Sequence, residues 1–146
     1  MSLIRAWKKV FESDLINIVE ELKEVAQPPC VIILDGSVGA GKTTFTRVFV
    51  GKQDVQSPTY SIINEIENII HADFYRIDKK DELIHLEIPM YLEGKDYFLI
   101  EWGMPYLREI QRIVGEEFKY YQLKIEINPI QADLKQSRNY LLSKIS

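Results

Sequence analysis

The chain has 146 residues, 46% hydrophobic and 27% charged, a balance that fits a folded globular protein and excludes a disordered or low-complexity one. Basic residues number 18 and acidic ones 22, a formal net charge of −4, so bulk charge excludes a protein that grips polynucleotide phosphates by its overall field. The length suits one domain, expected to occupy 1–146. No window approaches the roughly 20 apolar residues of a membrane span, and Cys30 has no intrachain partner, so the expected setting is the reducing cytoplasm, away from any membrane.

In chain order, "SDLINIVEELKEVA" from Ser13 places Leu15, Ile18, Val19, Leu22 and Val25 on one helical face, with the serine where a cap belongs. "QPP" stops that helix, and "CVIILD" follows as an apolar, β-branched run of the kind buried on both faces of a sheet. After a glycine-rich stretch, "KTTFTRVFV" reads as a helix closed by Gly51. "TYSIINEIENIIHADFY" reads as a hairpin folded around Glu67-Asn68. Asp78 is placed to cap a short helix over "KKDELIHLEI", and "DYFLIEW" is a second buried-strand segment. "MPYLREIQRIV" reads as a helix, "KYYQLKIEIN" as an alternating strand, and "QADLKQSRNYLLSKI" as a closing helix. The alternation predicts an α/β fold: a single-domain sheet flanked by helices, with a β-hairpin after the helix that follows the glycine-rich stretch.

The chemistry concentrates in "GSVGAGKTT". Gly36, Ser37, Val38, Gly39, Ala40, Gly41, Lys42 and Thr43 match G-x-x-x-x-G-K-[ST], placed between a predicted buried strand and a predicted helix, and Thr44 follows. Glycines there let successive backbone N–H groups turn inward as an anion cradle, reinforced by the positive end of the helix dipole. In that arrangement Lys42 reaches the β- and γ-phosphates of a nucleotide and the Thr43 hydroxyl binds Mg²⁺. Glu101 ends the apolar run "YFLIE", where a carboxylate facing the metal or water belongs. "SPTY", Ser57 to Tyr60, reads as a turn or as a nucleotide-sensing switch, and "HADFYR", His71 to Arg76, as a surface strand or as part of the site. His71 is either a partner for Asp73 or an ordinary core or surface histidine. Trp102 is either close to the nucleotide or plain core.

In this order, GSVGAGKTT, SPTY, HADFYR and LIEW resemble the TsaE (YjeE) family, small P-loop ATPases of bacterial tRNA threonylcarbamoyladenosine biosynthesis. The resemblance implies an ATP hydrolase that uses ATP/ADP and Mg²⁺, is slow alone, and works with the TsaB and TsaD proteins, touching tRNA only through that complex. It further implies that Gly36 to Thr44 form the phosphate loop, that Thr43 and Glu101 face the metal, and that Thr59 is the switch threonine. Asp73 is then the acid needed for hydrolysis, while Glu12 and Arg138 line the adenine or ribose. Members commonly read GDLGAGKT where this chain has Ser37 and Val38, a change that leaves the backbone amides in place.

Two other readings remain open at this point. A small nucleoside or nucleotide kinase shares the P-loop, although the chain lacks an arginine-rich lid segment. A nucleotide-dependent binding module would need no hydrolysis at all. A GTPase is disfavoured because no N-K-x-D guanine-reading motif occurs.

Overall fold

Seven strands build one mixed sheet: β1 (Ser2–Val10), β2 (Cys30–Asp35), β3 (Ile63–Ile66), β4 (Ile69–Asp73), β5 (Tyr97–Glu101), β6 (Lys119–Ile127) and β7 (Arg138–Ile145). Four α-helices accompany them: α1 (Leu15–Val25), α2 (Lys42–Val50), α3 (Glu82–His85) and α4 (Leu107–Val114). The computed structural model describes residues 1–37, 39–51, 62–132 and 134–145. Val38 and the SPTY segment with Thr59 therefore lie outside the described residues.

The strand order is β1-β7-β6-β2-β5-β4-β3. β6, β2, β5 and β4 run parallel, while β3, β7 and β1 each pair antiparallel with a neighbour. β2 is buried along Cys30 to Leu34 because it lies between β5 and β6 with helices on both faces, which explains its unbroken apolar run. Alternation splits that run: Ile32 and Leu34 pack with Leu15, Val19, Leu22, Phe45 and Phe49 of α1 and α2. Val31 and Ile33 pack with Phe98, Ile100, Leu83 and Ile110 on the side of α3 and α4. Cys30 is fully buried, and burial pushes its thiol up to about 12, so it is an inert core residue. Among the described residues, no helix is long and apolar enough to cross a membrane.

The expected α2 matches the observed one, including Gly51 at its C-terminus with φ of 80°. The hairpin also forms as read, with Glu67 at the turn in the left-handed region and β3 pairing antiparallel to β4.

Three expectations need correction. The closing segment "QADLKQSRNYLLSKI" is not a helix: its second half is β7, hydrogen-bonded between β6 and β1. Tyr140 and Leu142, two residues apart, face the core, and tertiary pairing on both edges overrides the helical spacing of Leu141, Leu142 and Ile145. Second, Ser13 does not cap α1; it lies inside a 3-10 turn, Glu12–Asp14, that leads into the helix. Third, Asp78 does not cap α3; its backbone N–H instead donates to Glu82 Oε2 at 3.1 Å, and α3 shrinks to one turn. β1 is an addition with no counterpart in the sequence-based reading; its Trp7 and Val10 reach the core beneath β7.

Candidate functional site

The turn after β2 passes close against the backbone of β6. A Cβ on Gly36 would lie 2.9 Å from the Ile125 carbonyl oxygen of β6, so the loop can cross the sheet edge there only as glycine. Gly39 and Gly41 take φ of 81° and 109°, the left-handed conformations the loop needs before α2 starts. The Ala40 N–H donates to the Ser37 carbonyl at 2.9 Å and closes the loop.

Lys42, at the start of α2, is only 6% exposed. Its Nζ donates to the carbonyls of Gly36 at 2.6 Å and Ser37 at 3.3 Å, and lies 4.2 Å from the centre of the Trp102 ring. Burial pushes the ammonium below its ordinary value, opposed by the negative charges of Glu101, Asp73 and Asp35. A cation held against the carbonyls of its own loop is poised to exchange them for an anionic ligand.

The carboxylates come from two neighbouring parallel strands. Register places Asp73 of β4 opposite Glu101 of β5, both at the C-terminal ends. Ile69, His71 and Asp73 alternate with Ile70 and Ala72, and Ile69 packs on the α1 and α2 side, so the chemical face of β4 is the one beside the P-loop helix. Glu101 is 4% exposed and meets His71 Nε2 at 2.6 Å through its Oε2. Asp73 Oδ1 accepts from the Tyr75 N–H at 2.9 Å. Burial raises the Asp73 carboxyl above the usual carboxylate range; the Tyr75 N–H pulls it back, the Glu101 charge adds to the rise, and His71 and Lys42 oppose it.

Beyond Glu101 the chain turns sharply. Trp102 sits at φ of 60°, a left-handed conformation costly for a bulky residue, of order 1–3 kcal/mol. That turn lays its ring over Lys42 and against Tyr75, with ring centres 5.2 Å apart. A Cβ on Gly103 would lie 2.7 Å from Ile100 Cγ2, so this glycine lets the next segment fold back onto β5.

These groups share one open cavity of about 440 Å³ lined by Gly39, Gly41, Lys42, Thr43, Thr44, Asp73, Tyr75, Glu101, Trp102 and Arg138. Arg138, the first residue of β7, donates through Nε to the Ala40 carbonyl at 2.6 Å and so clasps the loop. Gly36, Ser37 and Ala40 shape the loop without lining the cavity, and Glu12 does not line it either. Glu12 lies near Tyr140, whose phenol is raised first by burial and then by the Glu12 charge, against Arg138. His71, read as either a partner for Asp73 or an ordinary core or surface histidine, is fully buried and pairs with Glu101. Trp102, left open between two readings, lines the cavity. Tyr75 was missed: it lies within HADFYR, but only the pairing of β4 with β5 shows that it meets Trp102.

The residues fit a nucleotide phosphate: glycines in left-handed conformations, a buried lysine held by loop carbonyls and an aromatic face, and a helix N-terminus. They also fit a hard cation that keeps phosphate oxygens and waters as most of its ligands, since the Thr43 hydroxyl and one carboxylate suffice for it. Among the described residues, no group of three or more His, Cys, Asp or Glu side chains forms an all-protein metal cage.

A buried parallel strand, a glycine loop ending in a lysine at a helix N-terminus, and carboxylates on the adjacent strands are the features of a P-loop fold. The model of the family described as "Threonylcarbamoyl adenosine biosynthesis protein TsaE" matches residues 11–138, and the chain belongs to the TsaE family, as its motifs suggested. The chain is 35% identical over 105 residues to the tRNA threonylcarbamoyladenosine biosynthesis protein TsaE of Bacillus subtilis, covering 66% of this chain and 65% of that one. With the same-named protein of Haemophilus influenzae it shares 37% identity over 90 residues, 56% of this chain and 57% of that one. Both matches span less than two thirds of the relative's own length. The crystal structure of Bacillus subtilis YdiB superposes with a TM-score of 0.58 and 26% identity, covering 97% of this chain and 87% of that one.

Proposed function

We propose that this protein binds ATP with Mg²⁺ in the cavity at the C-terminal edge of its parallel strands and hydrolyses it to ADP and phosphate. The nucleotide cycle drives or resets a TsaB–TsaD complex during threonylcarbamoylation of the adenosine beside the tRNA anticodon. The protein acts in the cytoplasm and meets tRNA only through that complex. The observation that carries the reading is the convergence of Lys42, Asp73 and Glu101, from three different elements, on one cavity beneath the glycine loop.

Phosphoryl transfer to water asks a protein mainly for positioning and charge neutralisation. The loop N–H groups hold the phosphates, and Lys42 releases the Gly36 and Ser37 carbonyls to reach the β- and γ-oxygens. Magnesium, when bound, neutralises the charge that develops on those oxygens. The Thr43 hydroxyl and Glu101 would hold the metal, either Asp73 or Glu101 orients the attacking water, and Thr59 acts as the switch threonine. Arg138, which lines the cavity, and Glu12, outside that lining near Tyr140, serve the adenosine end where the ligand extends past the cavity. The one arginine among the described lining residues, Arg138, is engaged with the Ala40 carbonyl, which supports slow turnover in isolation and a rise when partners supply charge or order the loop.

The test is ATP turnover by the purified chain and by Lys42→Ala, each with and without a matching TsaB–TsaD pair. The expected result is a low rate that rises with the pair and falls roughly a hundredfold or more in the variant. A rate that ignores the pair while still depending on Lys42 leaves the P-loop chemistry standing and refutes the assignment to the complex.

A further inference from the structure

His71 lies in the middle of β4 among apolar neighbours: it is opposite Leu99 on β5, follows Ile69 on the same face, and has no exposed surface. An imidazole there weakens the core unless a specific partner satisfies it. That partner is Glu101 Oε2, 2.6 Å from His71 Nε2. Two lone pairs do not approach so closely, so against a carboxylate oxygen Nε2 carries the proton and donates. The other ring nitrogen, Nδ1, is buried with no partner among the described residues, which suits a bare lone pair better than an N–H without an acceptor.

We propose that His71 is a positioning residue for Glu101. Its Nε2–H ties back one carboxylate oxygen, Oε2, and leaves Oε1 as the oxygen that serves the cavity. Glu101 ends β5, directly before the left-handed Trp102, where the strand no longer constrains it beyond its own pairing. Its neighbour Asp73 is fixed by a different donor, the Tyr75 N–H, so the two facing carboxylates are oriented independently. The register of β4 and β5 makes this possible: Asp73 lies level with Glu101, and His71 sits two residues deeper on the same face, within reach of Oε2 from below.

The inference rests on the ATPase reading, and its test separates the two. ATP turnover with the partner pair, ATP KM and the urea midpoint are compared for the wild type, His71→Leu and His71→Gln. Glutamine offers an N–H the same number of bonds from Cα as His71 Nε2. His71→Leu is expected to lower kcat about 10–100-fold, the usual loss when a group orienting a ligating side chain is removed, with KM changed less than about threefold. His71→Gln is expected to recover most of that loss. Equal losses in both variants, or an unchanged kcat in His71→Leu, would overturn the proposal. The second readout needs no turnover: nitrogen-15 NMR of the free wild-type protein is expected to show a protonated Nε2 and a bare Nδ1 on His71, and Glu101→Ala to disturb that pattern. A ring protonated at Nδ1 alone refutes the proposal even if hydrolysis fails for other reasons, whereas a wild type as inactive as Lys42→Ala refutes the ATPase reading and leaves the NMR arm to decide the pairing.

Discussion

At the scale of single residues, the site concentrates groups that a stable core would avoid, and Asp73 is the clearest case. Burial lifts the Asp73 carboxyl above its unfolded value, with Glu101 adding to the rise. The native state therefore binds this proton more tightly than the unfolded chain does, and keeping Asp73 ionised costs folding stability. That cost is fully present above the raised value and disappears as pH falls below the ordinary carboxylate value. Asp73→Asn is accordingly expected to raise Tm at pH 7 while abolishing turnover, and the Tm gap to the wild type is expected to close as melts are repeated toward pH 3. A variant less stable than the wild type at pH 7 would mean that the bonds from Tyr75 and the attraction of Lys42 outweigh burial.

Among elements, the glycine loop and the start of β7 form one mechanical unit although nearly a hundred residues separate them. Arg138 clasps the Ala40 carbonyl, and a Cβ on Gly41 would lie 2.8 Å from Arg138 Nε. The arginine is a flexible side chain and can move, but only by giving up its bond to the loop. Gly41 also holds φ of 109°, which a residue with a Cβ adopts at a cost of roughly 1–3 kcal/mol. Gly41→Ala is therefore expected to lower unfolding free energy by about that amount and to weaken ATP binding at least tenfold. Urea denaturation and titration with a fluorescent ATP analogue measure the two effects, and intact binding would show that the loop tolerates both the strain and the lost clasp.

For the whole molecule, the arrangement of the sheet decides where the chemistry lies. Four parallel strands end on the same side, so the turn after β2 and the ends of β4 and β5 meet at one edge, while β6 and β7 bring Ile125 and Arg138 to the back of the loop. A ligand held there by α2, β4, β5 and β7 together binds the native state alone. ATP with magnesium at about 100 times its Kd is then expected to stabilise the fold by roughly 2.7 kcal/mol, an upward Tm shift of roughly 5–10 °C for a chain of this size. Thermal melts of wild type and Lys42→Ala check it; an equal shift in both would place the nucleotide elsewhere.

The local pattern by itself determined a good deal: the buried strand β2, the loop and helix α2 down to Gly51, the hairpin at Glu67, Glu101 at the end of β5, and the family. Each of these depends on neighbours in the chain, because strand burial, turn geometry and helix ending are written within a few residues. The tertiary structure alone decided that the last segment is a strand, since Leu141, Leu142 and Ile145 fit a helical spacing equally well until β6 and β1 supply hydrogen bonds on both sides. It alone decided that His71 meets Glu101, because strand register, not proximity in sequence, brings an imidazole beneath a carboxylate 30 residues away. It also placed Trp102 over Lys42, which depends on how distant elements pack and which no local spacing encodes.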